Sequence, residues 1–178
     1  MARELANELA GHDARGVANF ILSALDAKEF QISNKKINKL IYFAHGYHFA
    51  RFNRTLIRNY FEAWEHGPVV RVVYDSFKRF GFSPITKPAF HFDVFEQTER
   101  PVSFDEISLT EREFILKITL HYAQYSADEL ESMSHQPGTP WAITRSRQMD
   151  EPQYQNRIMN NLIRDYFTAQ VGELSRLH

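Results

Sequence analysis

The stretch from Ser33 to His48 constrains the fold more than any other part of the chain. Ser33 is placed to cap a helix in which Ile37, Leu40, Ile41, Ala44 and His48 fall three and four residues apart on one face. Phe43 and Tyr47 widen that face until the second half of the helix is almost wholly apolar. A helix apolar on nearly every side must be enclosed by other elements. With 178 residues the chain is long enough to enclose it, since a single core at this size buries roughly 70% of the surface that the unfolded chain exposes. The expectation is a mainly α protein: a single compact multi-helix domain with a small β element.

The remaining punctuation fits that reading. Asp13 caps a helix carrying Val17, Phe20, Ile21, Ala24 and Leu25, and Gly67-Pro68 turns into another whose inward residues are Val69, Val72, Val73, Phe77 and Phe80, with Gly81 as its stop. Thr110 to Glu113 reads as a capping box within a Leu109 to Phe114 staple, and opens a helix with Phe114, Ile115, Ile118 and Tyr122 inward. The same device at Tyr125 to Leu130 starts a helix that ends near His135. Thr139 and Pro140 begin a short one through about Arg147, and Asn160 caps the last, which bears Leu162, Ile163, Tyr166 and Phe167. Short extended segments are expected near 57–65 and 89–95, the second with Phe90, Phe92 and Val94 on one side. The domain is assigned to 13–170, between a short extension (1–12) and a tail (171–178).

Composition removes whole classes of chemistry. There is no Cys, so no thiol nucleophile, Cys-ligated zinc or iron–sulfur cluster is available. The seven Gly never cluster into a phosphate cradle, and neither a dinucleotide fingerprint nor a Gly-x-Ser-x-Gly elbow is present. The longest stretch without a charged residue, Ser132 to Thr144, is thirteen residues long, against the roughly 20 apolar residues of a membrane span. The amino terminus lacks the apolar run of a signal peptide, so a cytoplasmic protein is expected.

Charge is balanced overall, net -1, but not along the chain. Ser33 to Arg79 holds nine Lys/Arg against three acids, and His91 to Glu131 holds ten acids against three Lys/Arg. Either the two segments pack together and neutralise each other, or they form separate patches that steer charged partners. The overall balance argues against nucleic acid as a partner.

Two constellations resemble sites. His45 and His48, three apart on the central helix, have the spacing of metal ligands, but a third ligand (His66, His121 or His135) would have to come from elsewhere. Glu62, Glu65 and His66 lie beside Trp64, yet Glu62 and Glu65 on an extended segment point to opposite faces. Trp64 and Trp141 each adjoin a Pro-containing turn, as a core plug or an interface anchor does. No catalytic, cofactor or metal residue is assigned.

The order of segments resembles a known family. Lys36-Ile37-Asn38-Lys39-Leu40-Ile41-Tyr42-Phe43 is similar to its opening Lys-Leu-x-Lys-Leu-Leu-Tyr-Tyr signature, with Ile37 in place of Leu. Phe61 to Val70 (FEAWEHGPVV) is similar to its Glu-Ala-Trp-x-x-Gly-Pro-Val element, and Ser126 to His135 with Pro140-Trp141 to its His and Pro-Trp elements. The family is the Panacea domain, which includes SocA-like antitoxins and phage-associated GepA-like proteins.

The resemblance implies an antitoxin of a toxin-antitoxin system, which neutralises a cognate protein toxin, encoded beside it, by protein–protein contact. A protease is a further partner if the chain acts as an adaptor. No enzyme activity, catalytic residue or cofactor comes with the family. The family-motif residues here are Lys39, Tyr42, Trp64, His66, Gly67, Pro68, His135 and Trp141, and exposed Arg51, Arg54 and Arg58 form a candidate basic patch for an acidic toxin face. Alternatives are a phage or prophage accessory protein without a toxin, an enzyme built on His45 and His48, and a DNA-binding regulator. About a dozen residues precede the first helix, too few for a helix-turn-helix module, so operator binding is not expected.

Overall fold

The computed structural model describes residues 11–150 and 156–174. Within them the chain forms seven helices: α1 (Ala14–Ala24), α2 (Asn34–Phe52), α3 (Arg71–Phe77), α4 (Leu109–Ala123), α5 (Ala127–Ser134), α6 (Pro140–Asp150) and α7 (Asn160–Leu174). Five short strands accompany them: β1 (Phe61–Trp64), β2 (Gly67–Val69), β3 (Phe90–Asp93), β4 (Thr98–Pro101) and β5 (Arg157–Ile158). Most of the extension (1–10) and the end of the tail (175–178) lie outside the described residues.

The central helix is α2. Ser33 caps it, its side chain accepting from the Lys36 N–H, and apart from Lys35 every residue from Asn34 to Phe49 is buried. Helices α7 and α4 pack along it, with α1, α3 and α5 completing the shell. Gly46 lets α7 approach: a Cβ there would lie 2.2 Å from the Phe167 ring, so a larger residue would push the helices apart. Around this crossing Phe167 meets the rings of Tyr42, Phe43 and Tyr47, while Phe43 stacks on Tyr122 with centroids 4.1 Å apart.

The strands form two small antiparallel sheets, one in the order β2-β1-β5 and one made of β3 and β4. β1 and β2 are a tight hairpin in which Trp64 pairs with Gly67. The base of the β3–β4 hairpin is clamped by Asn19 of α1, a buried residue. Its amide donates to the Ala89 and Val102 carbonyls (3.0 and 2.9 Å) and accepts from the Ala89 N–H (2.7 Å).

Several expectations shift. Pro68 sits within β2 rather than opening a helix, and α3 begins at Arg71 without a side-chain cap. The Val70 N–H there is taken by Asn38 Oδ1 of α2 (2.9 Å), so a tertiary contact replaces the local cap. The capping box of α4 is Ser108 with Glu111, two residues before the expected Thr110 with Glu113, and Leu109 is 76% exposed. Asn160 is the first residue of α7 rather than its cap, the Leu162 and Ile163 N–H groups donating to Met159 O. Ala24 and Val72 face solvent, and Phe92 and Val94, expected on a buried strand face, are exposed. The caps at Asp13, Ser126 and Thr139 stand as read.

Candidate functional site

Seven of the eight motif residues converge where the amino-terminal half of α2 meets the β1–β2 hairpin and the α5–α6 corner. Lys39 projects from α2 and is fully buried. Its Nζ donates to the Pro68 carbonyl at 3.3 Å and lies under Gly67. Gly67 has φ +100°, and a Cβ there would sit 2.7 Å from Lys39 Cε and 2.9 Å from Ser134 Oγ. Both its backbone conformation and the room it leaves for the lysine therefore call for glycine. Burial pushes the Lys39 amine down to about 7, against the attraction of Glu131 and with the repulsion of Lys35.

The two tryptophans lock the hairpin from the other side. Trp141 Nε1 donates to the Trp64 carbonyl at 2.7 Å, and the Trp141 ring stacks on His135 with centroids 3.6 Å apart. Trp64 Nε1 donates to Glu62 Oε2 (2.7 Å), the carboxylate that Arg71 also grips through Nε and Nη2 (3.1 and 2.8 Å). The Arg71 guanidinium lies over the Trp64 indole at 5.1 Å, and Tyr74 meets its edge. His66 lies 3.3 Å from Glu131 Oε1, and its side chain is 70% exposed. Burial works against ionisation of Glu131, yet hydrogen bonds from Lys35 and His66 outweigh it and hold the carboxyl below its ordinary value.

A groove of about 470 Å³ opens beside this cluster, lined by Lys35, Lys39, Trp64, His66, Tyr74 and Phe82 among others. Its inner wall is braced by Asn38, which accepts from the Val70 N–H and donates to the Asn34 carbonyl, and by Asn34, which donates to the Tyr74 carbonyl. Sequence reasoning assigned no role to Asn34, Asn38 or Ser134. The signal was two Asn, four apart, in the first half of a helix read as central and buried, where they must find partners.

The other assigned residues lie elsewhere. Tyr42 is in the core against Phe61 and Phe167, its hydroxyl without a hydrogen-bond partner among the described residues. Arg51 sits in the last turn of α2, about 18 Å along the axis from Lys39, and Arg54 and Arg58 follow the end of that helix. Arg54 donates to Glu111 Oε1 at 2.8 Å and Arg58 to Asp13 Oδ2 at 3.3 Å, whereas Arg51 is exposed and lies near the Phe52 ring. The oppositely charged segments therefore do meet, through Arg54–Glu111, Lys35–Asp128 and Lys35–Glu131.

His45 and His48 serve separate local contacts. His45 Nδ1 accepts from the Ile57 N–H at 3.4 Å, and His48 Nδ1 lies 3.1 Å from the Arg54 carbonyl. Among the described residues no group of three or more His, Asp or Glu is gathered as a metal would require. Burial lowers both imidazoles, His45 to about 3 and His48 to about 4. None of the described helices is long and apolar enough to cross a membrane.

A mainly helical domain in which a buried signature helix carries a Trp-clamped hairpin is thus defined by these contacts. The family model that matches it is the antitoxin SocA-like, Panacea domain, over residues 37–142, and the chain belongs to that family. Antitoxin SocA of Caulobacter vibrioides (strain NA1000 / CB15N) is 34% identical over 163 residues, covering 92% of this chain and 86% of the relative. No solved structure gives a significant match.

Proposed function

We propose that this chain is a cytoplasmic antitoxin that neutralises a cognate protein toxin by direct binding, with neither catalysis nor a cofactor of its own. The observation that carries the reading is the likeness to Antitoxin SocA along 92% of the chain. The use made of the motif residues supports it. Lys39 bonds the Pro68 carbonyl beneath Gly67, and Trp141 bonds the Trp64 carbonyl and stacks on His135, contacts within the motif set that suit a scaffold for a binding surface. The basic segment favours a protein partner over nucleic acid, because Lys35, Arg54, Arg58 and Arg71 already hold carboxylates of this chain.

Co-expression tests the proposal. The product of the adjacent open reading frame, expressed alone, should arrest growth; this chain should relieve the arrest and co-elute with that product. Sequestration leaves the toxin's half-life unchanged, and delivery to a protease shortens it. Absence of toxicity from either neighbouring gene product would overturn the antitoxin reading in favour of a phage accessory role.

A further inference from the structure

The β3–β4 hairpin turns apolar side chains outward, Phe92, Val94 and Phe95 being 57%, 66% and 97% exposed. Its two edges are not equivalent. Phe90 stands opposite Pro101, His91 opposite Arg100, Phe92 opposite Glu99 and Asp93 opposite Thr98. The Val102 N–H donates to the Ala89 carbonyl at the base (2.9 Å). In an antiparallel ladder the bonded pairs then alternate as Ala89–Val102, His91–Arg100 and Asp93–Thr98, which leaves the main-chain groups of Phe90, Phe92, Glu99 and Pro101 pointing outward.

On β4 the outward positions are Pro101, which has no N–H, and Glu99, a charge; both are devices that close a strand edge. On β3 the outward positions are Phe90 and Phe92, with N–H and carbonyl groups intact. Among the described residues no further strand pairs with that edge. The surroundings are acidic: residues 90–107 hold Asp93, Glu96, Glu99, Asp105 and Glu106 against Arg100, a net of -4. Arg100 is paired with Asp93 and Glu96, while Glu99, Asp105 and Glu106 have no cation within ion-pair reach among the described residues.

We infer that the open edge of β3 receives an extended, basic segment of the toxin, with apolar residues at alternate positions. This rests on the antitoxin reading and adds the docking edge and the chemistry of what docks there. The incoming main chain continues the ladder at Phe90 and Phe92. Its apolar side chains cover Phe92 and Val94, and its Lys and Arg meet the acidic field of the hairpin.

The test compares wild type, Phe92→Ala, Phe92→Pro and the double variant Glu99→Lys/Glu106→Lys in toxin capture, with circular dichroism to confirm folding. Phe92→Pro deletes an outward N–H that the β3–β4 ladder does not use. It should weaken capture by about tenfold or more, beyond the loss in Phe92→Ala, and the charge reversals should weaken it at low salt. Amide hydrogen exchange supplies the second readout: the Phe90 and Phe92 amides exchange fast in the free chain and become protected in the complex. Capture by wild type with those amides unprotected, or undiminished capture by Phe92→Pro, overturns the proposal. If wild type captures no toxin, the antitoxin reading fails separately, and a synthetic peptide of alternating Lys and Val becomes the probe. Protection of Phe90 and Phe92 by that peptide supports the edge, and no protection rejects it.

Discussion

The indole N–H of Trp141 donates to the main-chain carbonyl of Trp64 at 2.7 Å, joining residues 77 positions apart. That bond ties the start of α6 to the β1–β2 hairpin, and the His135 ring stacked beneath Trp141 adds the α5 end to the same clamp. Trp141→Phe keeps a ring against His135 but loses the donor and part of the indole's volume, so it should cost about 1–3 kcal/mol. Trp141→Ala also empties the site and should cost about 3–5 kcal/mol. Urea unfolding of the two variants measures both, and equal losses would show that the stack contributes nothing.

Lys39 makes stability depend on pH in the alkaline range. Its amine is held at about 7 in the folded protein against an ordinary value of 10.5. Between these values the unfolded chain binds the extra proton, so stability should rise as pH increases from 7 towards 10. Above about 10 Tyr42 opposes the trend, because burial raises its hydroxyl and folding then retains a proton that the unfolded chain loses. Lys39→Met should flatten the rise, as read from denaturant midpoints at pH 7, 8 and 9.

The acid side slopes the same way, stability again rising with pH. His45 and His48 lie at about 3 and about 4, below the ordinary 6.5, so stability present above pH 6.5 is lost as pH falls towards 4 and 3. Glu111 extends the loss. Burial raises its carboxyl, but hydrogen bonds from Ser108 and His12 and the charge of Arg54 hold it at about 2. His45→Asn, which retains an acceptor for the Ile57 N–H, should reduce the slope between pH 6.5 and 4 without abolishing folding at pH 7.

The three arginines of the basic patch should separate in stability. Arg54→Glu sets a second carboxylate against buried Glu111 and should destabilise by about 1–3 kcal/mol. Arg58→Glu meets the less buried Asp13 and should lose less, while Arg51→Glu should be near neutral, since no carboxylate of the described residues holds it. Thermal midpoints in that order would verify the pairing. Arg51 is then the substitution whose effect on toxin capture reports on the interface alone.

Asn19 should control the hairpin. Its amide makes three main-chain hydrogen bonds at the base, and Asn19→Ala leaves the Ala89 N–H and the Val102 carbonyl unpaired, at about 2–3 kcal/mol. Amide exchange at Ala89 should accelerate more than exchange in α2, and equal acceleration would show global rather than local opening.

What the sequence determined by itself is what local chemistry controls. Asp13, Ser33, Ser126 and Thr139 cap helices because a side-chain oxygen reaches an N–H two or three residues on, and the apolar face of Ile37, Leu40, Ile41 and Ala44 placed α2 at the centre. The ordered motifs likewise identified the family and, in Lys39, Trp64, Gly67, His135 and Trp141, residues that meet in space. The tertiary structure alone decided how they meet. Pro68 lies in a strand because Lys39 and Asn38 hold the hairpin against α2, contacts across about 30 residues that no local pattern encodes. Lys36, Asn38 and Lys39 are buried because carbonyls and N–H groups distant in sequence receive their polar ends. Phe92 and Val94 alternate as a half-buried strand would, yet they face solvent because no layer among the described residues covers the hairpin there. Periodicity states that a face is apolar; only the assembled neighbours determine whether anything lies against it.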